Sequence, residues 1–229
     1  MQCAILAGGL GERLRPITET IPKALVPVAG EPFAHHQLRL LAAGGVRDVV
    51  YCIGHHGDLI REAIGDGSRF GLAVDYVDEG RKLRGTAGAL RLALDEGALD
   101  EAFAVLYGDS YLPIELAPVW RAFDEAGLPA LMTVLHNEDR WDRSNARFES
   151  GRVALYEKGG AGAGFIDYGL SVLERRIVAE RVPAATVADL ADLYHELSVE
   201  GSLAGYEVHE RFYEVGSPAG LAELERHLA

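Results

Sequence analysis

The sequence of 229 residues predicts an α/β fold, in which a mostly parallel β-sheet is flanked by helices. Short apolar runs alternate with helical stretches through the first half, which is the pattern of βα units on a parallel sheet. The first apolar run, at residues 2–6, leads directly into a glycine-rich segment, as in a tight turn between a strand and a helix. Because no linker or internal repeat divides the chain, we expect one domain over residues 1–229.

Apolar spacing and turn residues define the elements of the first half. Pro32 suits the first turn of a helix, and the ten residues after it place apolar side chains at helical spacing. The segment Gly-Asp-Gly-Ser at 65–68 is typical of a turn. The predicted elements, in order, are a strand at 2–6, the helix after Pro32, a strand at 48–53, a short helix at 58–64, a strand at 73–77, a helix at 86–94 and a strand at 103–107.

The pattern changes in the second half. After a helix at 116–126 and a strand at 130–135, residues 145–173 contain shorter apolar runs, which are separated by Gly151 and by the glycine-rich segment 159–164. These runs predict an antiparallel sub-structure laid over the main sheet. The remaining predicted elements are a helix at 188–199, a strand at 203–208 and a last helix at 218–228.

Composition excludes several classes of protein. The chain has 22 Lys and Arg against 35 Asp and Glu, a net charge of −13, whereas a protein that grips nucleic acid needs a basic surface. The two cysteines, Cys3 and Cys52, lie in apolar runs and are expected to be buried strand thiols. No apolar run approaches the roughly 20 residues of a membrane span. The chain begins without a basic leader, so we expect a cytoplasmic protein with no nucleic-acid or membrane partner.

The glycine-rich segment Gly8-Gly9-Leu10-Gly11 follows the first strand directly. Glycines there allow backbone N–H groups to approach a phosphate chain closely, although a tight turn without a ligand explains them equally. A dinucleotide-binding fingerprint would need a third glycine where Leu14 stands, and a P-loop would need a lysine soon after Gly11. Both of these common nucleotide motifs are therefore excluded.

Basic side chains follow these glycines. Arg13 offers a planar fork for phosphate oxygens, and Lys23 offers a mobile point charge. Lys23 stands between Pro22 and Pro27, where we expect a lysine to lose little packing when it is replaced. This cluster would set a local positive charge against the acidic character of the whole chain.

Two segments, LAGGLGERLRPIT at 6–18 and PKALVPV at 22–28, together resemble the signature of the sugar-1-phosphate nucleotidyltransferases. Four later segments also resemble this family: 85–88, 108–110, 157–158 and 213–218. The resemblance implies a Rossmann-like fold of the nucleotide-diphospho-sugar transferase type, with a nucleotide-binding half at 1–136 and a sugar-phosphate-binding half at 137–229. It also implies the short form of the family, without a C-terminal β-helix.

Enzymes of this family make an NDP-sugar and pyrophosphate from an NTP and a sugar 1-phosphate. The resemblance implies the following residue roles. The catalytic residues are Arg13, Lys23 and Asp109; the nucleotide-binding residues are Leu6, Ala7, Gly8, Gly9, Gly11, Glu79, Gly85 and Thr86; the sugar-phosphate-binding residues are Asn145, Glu157, Lys158, Asp167 and Gly169. Because segment 85–88 opens a helix, its N–H groups and dipole are also expected to bind an anion or to read a base edge.

Two carboxylates are candidate ligands for the cofactor Mg²⁺. Asp109 follows a central strand, at the end of the sheet where α/β proteins place ligands, and a carboxylate is a good hard ligand for Mg²⁺. The alternative is an aspartate that only caps a Gly-Asp-Ser turn. Glu214 stands where relatives carry an aspartate as the second metal ligand, and its alternative is a strand-end glutamate before a turn.

The nucleobase and the sugar stay open at this stage. The chain most resembles short guanylyltransferases for heptose or mannose 1-phosphate, and GTP is the first expectation. Segment 65–72, GDGSRFGL, is shared with uridylyltransferases for muramic-type sugar phosphates, and choline-phosphate cytidylyltransferases share the N-terminal signature.

Two other classes of function compete with nucleotidyl transfer. A glycosyltransferase of related fold would carry an Asp-x-Asp motif, which is absent around 108–110. A non-catalytic nucleotide-binding regulator would not need Arg13, Lys23 and Asp109 together. The oligomeric state, a homo-oligomer included, also stays open.

Overall fold

A computed structural model describes residues 1–160 and 164–228, so the glycine-rich segment predicted at 159–164 lies partly outside the described residues. The strands are β1 (Gln2–Leu6), β2 (Pro27–Val28), β3 (Glu31–Pro32), β4 (Asp48–Ile53), β5 (Ala73–Asp78), β6 (Ala102–Tyr107), β7 (Ser110–Tyr111), β8 (Ala130–His136), β9 (Ala146–Glu149), β10 (Arg152–Tyr156), β11 (Phe165–Glu174), β12 (Leu203–Val208) and β13 (Tyr213–Glu214). The helices are α1 (Phe33–Ala43), α2 (Gly57–Ile64), α3 (Gly85–Asp95), α4 (Leu116–Ala126), α5 (Arg175–Arg181), α6 (Leu190–Val199) and α7 (Pro218–Leu228).

Nine of these strands form one sheet in the order β5-β4-β1-β6-β11-β8-β12-β10-β9. In this order the first four strands, which are β5, β4, β1 and β6, are parallel to one another, as the βα pattern predicted. β11 lies antiparallel between β6 and β8, and β12 is parallel to β8. Two short ribbons, β2–β3 and β7–β13, stand apart from the main sheet and were not predicted.

The region 145–173 matches the sequence prediction in part. β9 and β10 form an antiparallel pair in which β10 bonds to β12 and β9 also bonds to β11, so this pair closes back onto the main sheet. β11, by contrast, is a strand of ten residues at the centre of that sheet. Leu170 and Val172 pack into the apolar core on one face of the sheet, while Leu173 packs into the core on the other face. β11 is therefore covered on both faces, which suits its position between β6 and β8.

Most predicted elements lie within a few residues of their observed positions, but the last third differs at two points. Helix α5 was not predicted. The helix predicted at 188–199 begins only at Leu190, because the Asp189 side chain caps its N-terminus by accepting a hydrogen bond from the Ala191 N–H.

The apolar core forms two layers, one on each face of the sheet. In β1, Cys3 and Ile5 belong to one layer and Ala4 to the other, as the alternation of side chains along a strand requires. Cys3 and Cys52 are both buried free thiols, and burial raises the pKa of the Cys3 thiol to about 12. Across the described residues, no helix combines the length and the apolar character needed to span a bilayer.

The parallel strands end at one edge of the sheet, and backbone hydrogen bonds join the loops that follow them. The Ala7 N–H donates to the Cys52 carbonyl at 2.9 Å, and the Gly108 N–H donates to the Leu6 carbonyl at 2.9 Å. The Glu79 N–H donates to the Ile53 carbonyl, also at 2.9 Å. The residues that follow β1, β4, β5 and β6 are therefore held together at this edge, where open α/β sheets place their ligands.

Candidate active site

A cleft of about 770 Å³ opens at the carboxyl ends of the parallel strands. It lies between the glycine-rich loop after β1, the start of α3 and the loop after β6. Its lining residues are Leu6, Ala7, Gly8, Gly9, Gly11, Lys23, Ala24, Glu79, Leu83, Gly85, Thr86, Ala89, Tyr107, Gly108 and Asp109. The cleft thus brings together all eight residues predicted to bind nucleotide and two of the three predicted catalytic residues.

Two glycines of the loop are required by its geometry. A Cβ atom at Gly8 would lie 2.3 Å from the Oε1 atom of Glu79, so a larger residue there would displace that carboxylate from its position in the cleft. Gly11 has a φ of 65°, which is a left-handed conformation that favours glycine, and its carbonyl accepts a 2.7 Å hydrogen bond from the Thr18 hydroxyl. The glycine-rich sequence therefore forms a closely packed turn beside an acidic side chain.

Glu79 lies just beyond the end of β5, and its side chain reaches into the cleft beside Gly8. One carboxylate oxygen accepts a 2.6 Å hydrogen bond from the Arg84 backbone N–H. Burial raises the pKa of Glu79, although this hydrogen bond and the charge of Arg84 oppose the rise. The cleft therefore holds a desolvated hydrogen-bond acceptor.

The start of α3 corrects one expectation from the sequence. The N–H groups of Ala87 and Gly88 both donate to the carbonyl oxygen of Ala188, at 3.0 and 3.2 Å. These two groups are therefore not free to bind an anion. Gly85 and Thr86 still face the cleft, so any contact of this helix terminus with a ligand falls to them.

Lys23 and Asp109 form an ion pair in the cleft, with 2.7 Å between Nζ and Oδ2. The two side chains are only 20% and 23% exposed. Lys23 lies in a short 3₁₀ helix at Lys23–Leu25. The expectation that Lys23 has little packing to lose is therefore wrong, since its ammonium group is the partner of a mostly buried carboxylate.

The charges of Asp109 and Glu214 act on one another across the β7–β13 ribbon. Glu214 pairs with Ser110 in this ribbon, and the Val215 N–H donates to the Asp109 carbonyl at 2.9 Å. Burial raises the pKa of Glu214, and the charge of Asp109 raises it further. The positive charges of Arg13 and Lys23 act in the opposite direction, which places exposed Arg13 near the same carboxylate. All four side chains thus share one electrostatic environment.

The fit of this pair to Mg²⁺ follows from its donor set. Within residues 1–160 and 164–228, no three His, Cys, Asp or Glu side chains are grouped so as to hold a metal ion. Magnesium is commonly held by one or two carboxylates, together with waters and substrate phosphates. The charge of Asp109 raises the pKa of Glu214, and a cation between the two carboxylates would relieve this effect. The two carboxylates therefore fit a Mg²⁺ ion that is completed by substrate.

Most of the residues predicted to bind the sugar phosphate converge near β11. The Asn145 side-chain oxygen accepts a 2.8 Å hydrogen bond from the Asp167 N–H, and the Asn145 carbonyl accepts one of 2.8 Å from the Glu157 N–H. Gly169 lies at an irregularity in the β11–β8 pairing. A Cβ there would be 3.5 Å from the Ser110 hydroxyl, which places this group beside the Gly-Asp-Ser turn.

Lys158 lies apart from this group and is exposed. Its ammonium group pairs with the carboxylate of Asp189, a residue that the sequence analysis did not select. The structure therefore brings Asn145, Asp167 and Gly169 together and leaves Lys158 at the edge of the site.

Asp167 carries a carboxyl group that is partly buried. Burial raises its pKa to about 6, although a hydrogen bond of 2.9 Å from the Gly169 N–H to Oδ1 opposes the rise. A raised pKa means that the folded protein favours the protonated form. The stabilising effect of that preference is complete below the ordinary pKa and is lost as the pH rises through about 6.

We expect Asp167→Asn to raise the free energy of unfolding at pH 8 by up to about 3 kcal/mol, because the ionised carboxylate no longer has to be buried. Near pH 4 the same substitution should change stability little, since Asp167 is then protonated in the fold. Denaturant unfolding of both proteins at the two pH values measures this difference. An asparagine variant that is less stable than the original protein at pH 8 would contradict this account of Asp167.

Sequence reasoning missed three notable residues of the site. Leu83 and Tyr107 line the cleft, and Asp189 holds Lys158. Tyr107 had a usable signal, because it is the last residue of a parallel strand, where ligand-contacting side chains concentrate. Leu83 and Asp189 had none, since each reaches the site through the packing of a loop.

Residues 3–147 match the family model described as nucleotidyl transferase. Glucose-1-phosphate thymidylyltransferase of Streptomyces antibioticus is 36% identical over 135 residues, which are 59% of this chain and 37% of that protein. D-glycero-alpha-D-manno-heptose 1-phosphate guanylyltransferase of Campylobacter jejuni is 29% identical over 177 residues, 77% of each chain.

A solved structure shows the same fold over nearly the whole chain. HddC from Yersinia pseudotuberculosis, complexed with GMP-PN, superposes with a TM-score of 0.82 at 22% identity, covering 100% of this chain and 99% of that one. By contrast, the chain spans only 37% and 31% of the lengths of two Streptomyces thymidylyltransferases that it matches. Since the family model covers well over half of the residues, the chain belongs to the nucleotidyl transferase family.

Proposed function

We propose that this protein transfers a nucleotidyl group from an NTP to a sugar 1-phosphate. The observation that carries this proposal is the Lys23–Asp109 ion pair, which lies in the cleft between the glycine-rich loop and the end of β6. A cation and a carboxylate that could hold a metal ion suit a reaction between phosphate groups, because the negative charges of those groups repel one another. The named relatives, which are sugar-1-phosphate nucleotidyltransferases, support the same reaction class.

The proposed reaction needs no covalent intermediate with the protein. A phosphate oxygen of the sugar 1-phosphate attacks the α-phosphorus of the NTP in line, the bond to the bridging oxygen breaks, and pyrophosphate leaves with that electron pair. Catalysis then consists of positioning and of neutralising charge on the phosphates. Lys23 and Arg13 would neutralise the triphosphate, while the glycine-rich loop offers backbone N–H groups close to it.

We also propose that Asp109 and Glu214 hold the Mg²⁺ ion. When bound, the ion supplies positive charge against the phosphate oxygens and helps to orient them. Asp109 has a second role, because its contact with Lys23 fixes the ammonium group in the cleft before substrate arrives. The raised pKa of Glu214 means that the pair attracts a cation most strongly once Glu214 has lost its proton.

For the nucleobase we propose guanine, on the basis of Glu79. The base edge of guanine presents a ring N–H and an amino group side by side, so a carboxylate can accept two hydrogen bonds from it. Uracil and thymine present a single N–H between two carbonyl oxygens, which would repel a carboxylate. Glu79 is a partly desolvated carboxylate at the side of the cleft formed by Gly8, Leu83 and Gly85. Its chemistry thus favours GTP over UTP or dTTP.

For the sugar we propose heptose or mannose 1-phosphate. The Campylobacter jejuni relative, which is named as a heptose 1-phosphate guanylyltransferase, supports this choice. Asn145, Glu157 and Asp167 would accept hydrogen bonds from sugar hydroxyls, and Gly169 leaves space for the sugar beside Ser110. UTP-dependent transfer to a different sugar phosphate is the second candidate.

The direct test is to incubate the protein with each NTP, Mg²⁺ and a panel of sugar 1-phosphates, and to follow pyrophosphate release. We expect the fastest release with GTP and with mannose or heptose 1-phosphate. Fastest release with UTP would keep the reaction class and overturn the base assignment. Consumption of an NDP-sugar without pyrophosphate release would indicate a glycosyltransferase, and NTP binding without any turnover would indicate a regulator.

Glu79→Gln tests the base assignment separately. The amide can accept one hydrogen bond and donate another, so it no longer matches the two donors of guanine but does match uracil. We expect kcat/KM for GTP to fall by about 10- to 100-fold, the range for a lost hydrogen bond to a charged group, while kcat/KM for UTP stays level or rises. Asp78→Asn is the matched control, because Asp78 is the exposed neighbouring acid and its Oδ1 only accepts the Gly80 N–H. An equal loss for GTP and UTP would remove Glu79 from base recognition.

A further inference from the structure

Asp189 joins three parts of the molecule through its carboxylate. Oδ1 accepts a 2.9 Å hydrogen bond from the Thr86 hydroxyl and one of 3.1 Å from the Ala191 N–H, while Oδ2 accepts the ammonium group of Lys158. Thr86 belongs to the start of α3, Ala191 to the start of α6, and Lys158 to the turn after β10. These contacts connect the nucleotide side of the cleft to the side predicted to bind the sugar phosphate.

These contacts exceed what capping a helix requires. A capping side chain needs only one oxygen for the backbone N–H groups at the helix start, and here Oδ1 alone has that role. Oδ2 is left for Lys158. Partial burial would raise the pKa of Asp189, but the hydrogen bonds from Lys158, Ala191 and Thr86 outweigh it and hold the pKa below its usual value. Asp189 is therefore a stable anion placed beside a lysine.

Hydrogen bonds from two backbone N–H groups fix the position of Asp189 against the start of α3. The Leu190 N–H donates to the Thr86 hydroxyl at 2.7 Å, and the Ala188 N–H donates to the Arg84 carbonyl at 2.9 Å. A Cβ at Gly85 would lie 2.4 Å from the Ala188 carbonyl oxygen, so the two segments are in direct contact. Asp189 thus stands on a rigid joint next to Thr86, which itself lines the cleft.

Lys158, by contrast, has little to hold it. Its side chain is 71% exposed, and a lysine carries its charge on a flexible stem of four carbons. An unpaired ammonium group in that place would sample many orientations. The ammonium group has three N–H donors, so its pairing with Asp189 leaves donors for a second anion.

We propose that Asp189 is a positioning residue, which fixes the Lys158 ammonium group at the border of the cleft where the phosphate of the sugar 1-phosphate binds. This inference rests on the proposed function. Because Asp189 is tied to Thr86, it also sets the distance between the sugar phosphate and the nucleotide side of the cleft. Asp189 touches neither substrate and acts through Lys158.

Asp189→Asn is the decisive substitution. Asparagine caps a helix as well as aspartate does, so α6 should remain intact and Tm should be nearly unchanged. The negative charge that holds Lys158 is lost, so we expect KM for mannose 1-phosphate to rise about tenfold while KM for GTP changes less than about twofold. Asp192→Asn is the matched control, because Asp192 is an exposed acid in the first turn of the same helix.

Lys158→Ala and the double variant complete the test. If Asp189 acts through Lys158, the double variant should have the same KM for mannose 1-phosphate as Lys158→Ala alone. Three results would each overturn the proposal. The first is that the effects of the two single substitutions on KM multiply in the double variant. The others are an unchanged KM in Asp189→Asn, and equal rises in both KM values together with a fall in Tm.

Calorimetric titration of mannose 1-phosphate into the original protein and these four variants separates this proposal from the proposed function. If the original protein binds the sugar phosphate but releases no pyrophosphate with any NTP, the proposed function fails. The weaker binding expected in Asp189→Asn would then still support the role of Asp189, and unchanged binding would overturn it.

Discussion

Lys23→Ala should lower kcat/KM by about 10²- to 10³-fold, which is the cost of removing one preorganised group that stabilises charge in a transition state. The Lys23 ammonium group lies in the cleft, 2.7 Å from Asp109, and it is the mostly buried cation of the site. Its removal also leaves Asp109 without its ion-pair partner and takes away one of the two positive charges that act on Glu214. We therefore expect a loss of stability of about 1–2 kcal/mol, below the cost of breaking a fully buried ion pair.

Steady-state kinetics and denaturant unfolding of Lys23→Ala, each with and without Mg²⁺, measure the two effects. The matched control is Arg15→Ala, because Arg15 is an exposed cation of the same loop and contacts only Glu12, at 3.6 Å. It should reduce the positive charge of the loop by the same amount with little effect on turnover. Normal turnover in Lys23→Ala together with a large loss of stability would show that Lys23 has a structural role only.

Asp109→Asn should abolish most Mg²⁺-dependent turnover, and a magnesium titration should not restore it. The amide keeps the shape of the Gly-Asp-Ser turn, and the backbone bond from the Val215 N–H to the Asp109 carbonyl is not affected. What is lost is the charge that fixes Lys23 and is proposed to hold the metal ion. We expect a loss of at least about 10²-fold in kcat.

A second measurement on Asp109→Asn does not depend on activity. The charge of Asp109 contributes to the raised pKa of Glu214, so its removal should lower the pKa of the Glu214 carboxyl, which NMR titration can follow. Asp142→Asn is the control, because Asp142 is exposed and has a smaller effect on the same carboxyl. Full activity of Asp109→Asn across a magnesium titration would mean that the metal assignment is wrong.

Local signals in the sequence predicted most of the elements, although α5 and the two short ribbons were not predicted. A strand is marked by its apolar run and a helix by its apolar spacing, and both patterns depend on residues close together in the chain. The same holds for the glycine-rich loop, where Gly11 has a positive φ and Gly8 lies against the Glu79 carboxylate. The residues of the nucleotide side were selected through the family resemblance, and for Asp109 its place after a central strand also indicated this edge of the sheet.

Contacts between distant segments were decided only by the tertiary structure. The position of β11 inside the sheet depends on which strands flank it, and its own sequence does not carry that information. The Ala188 carbonyl occupies two N–H groups at the start of α3, and Asp189 reaches Lys158 and Thr86 across the fold. Each of these contacts satisfies a polar group that packing has partly removed from water. Such a group must find a partner, but packing alone decides which distant residue supplies it.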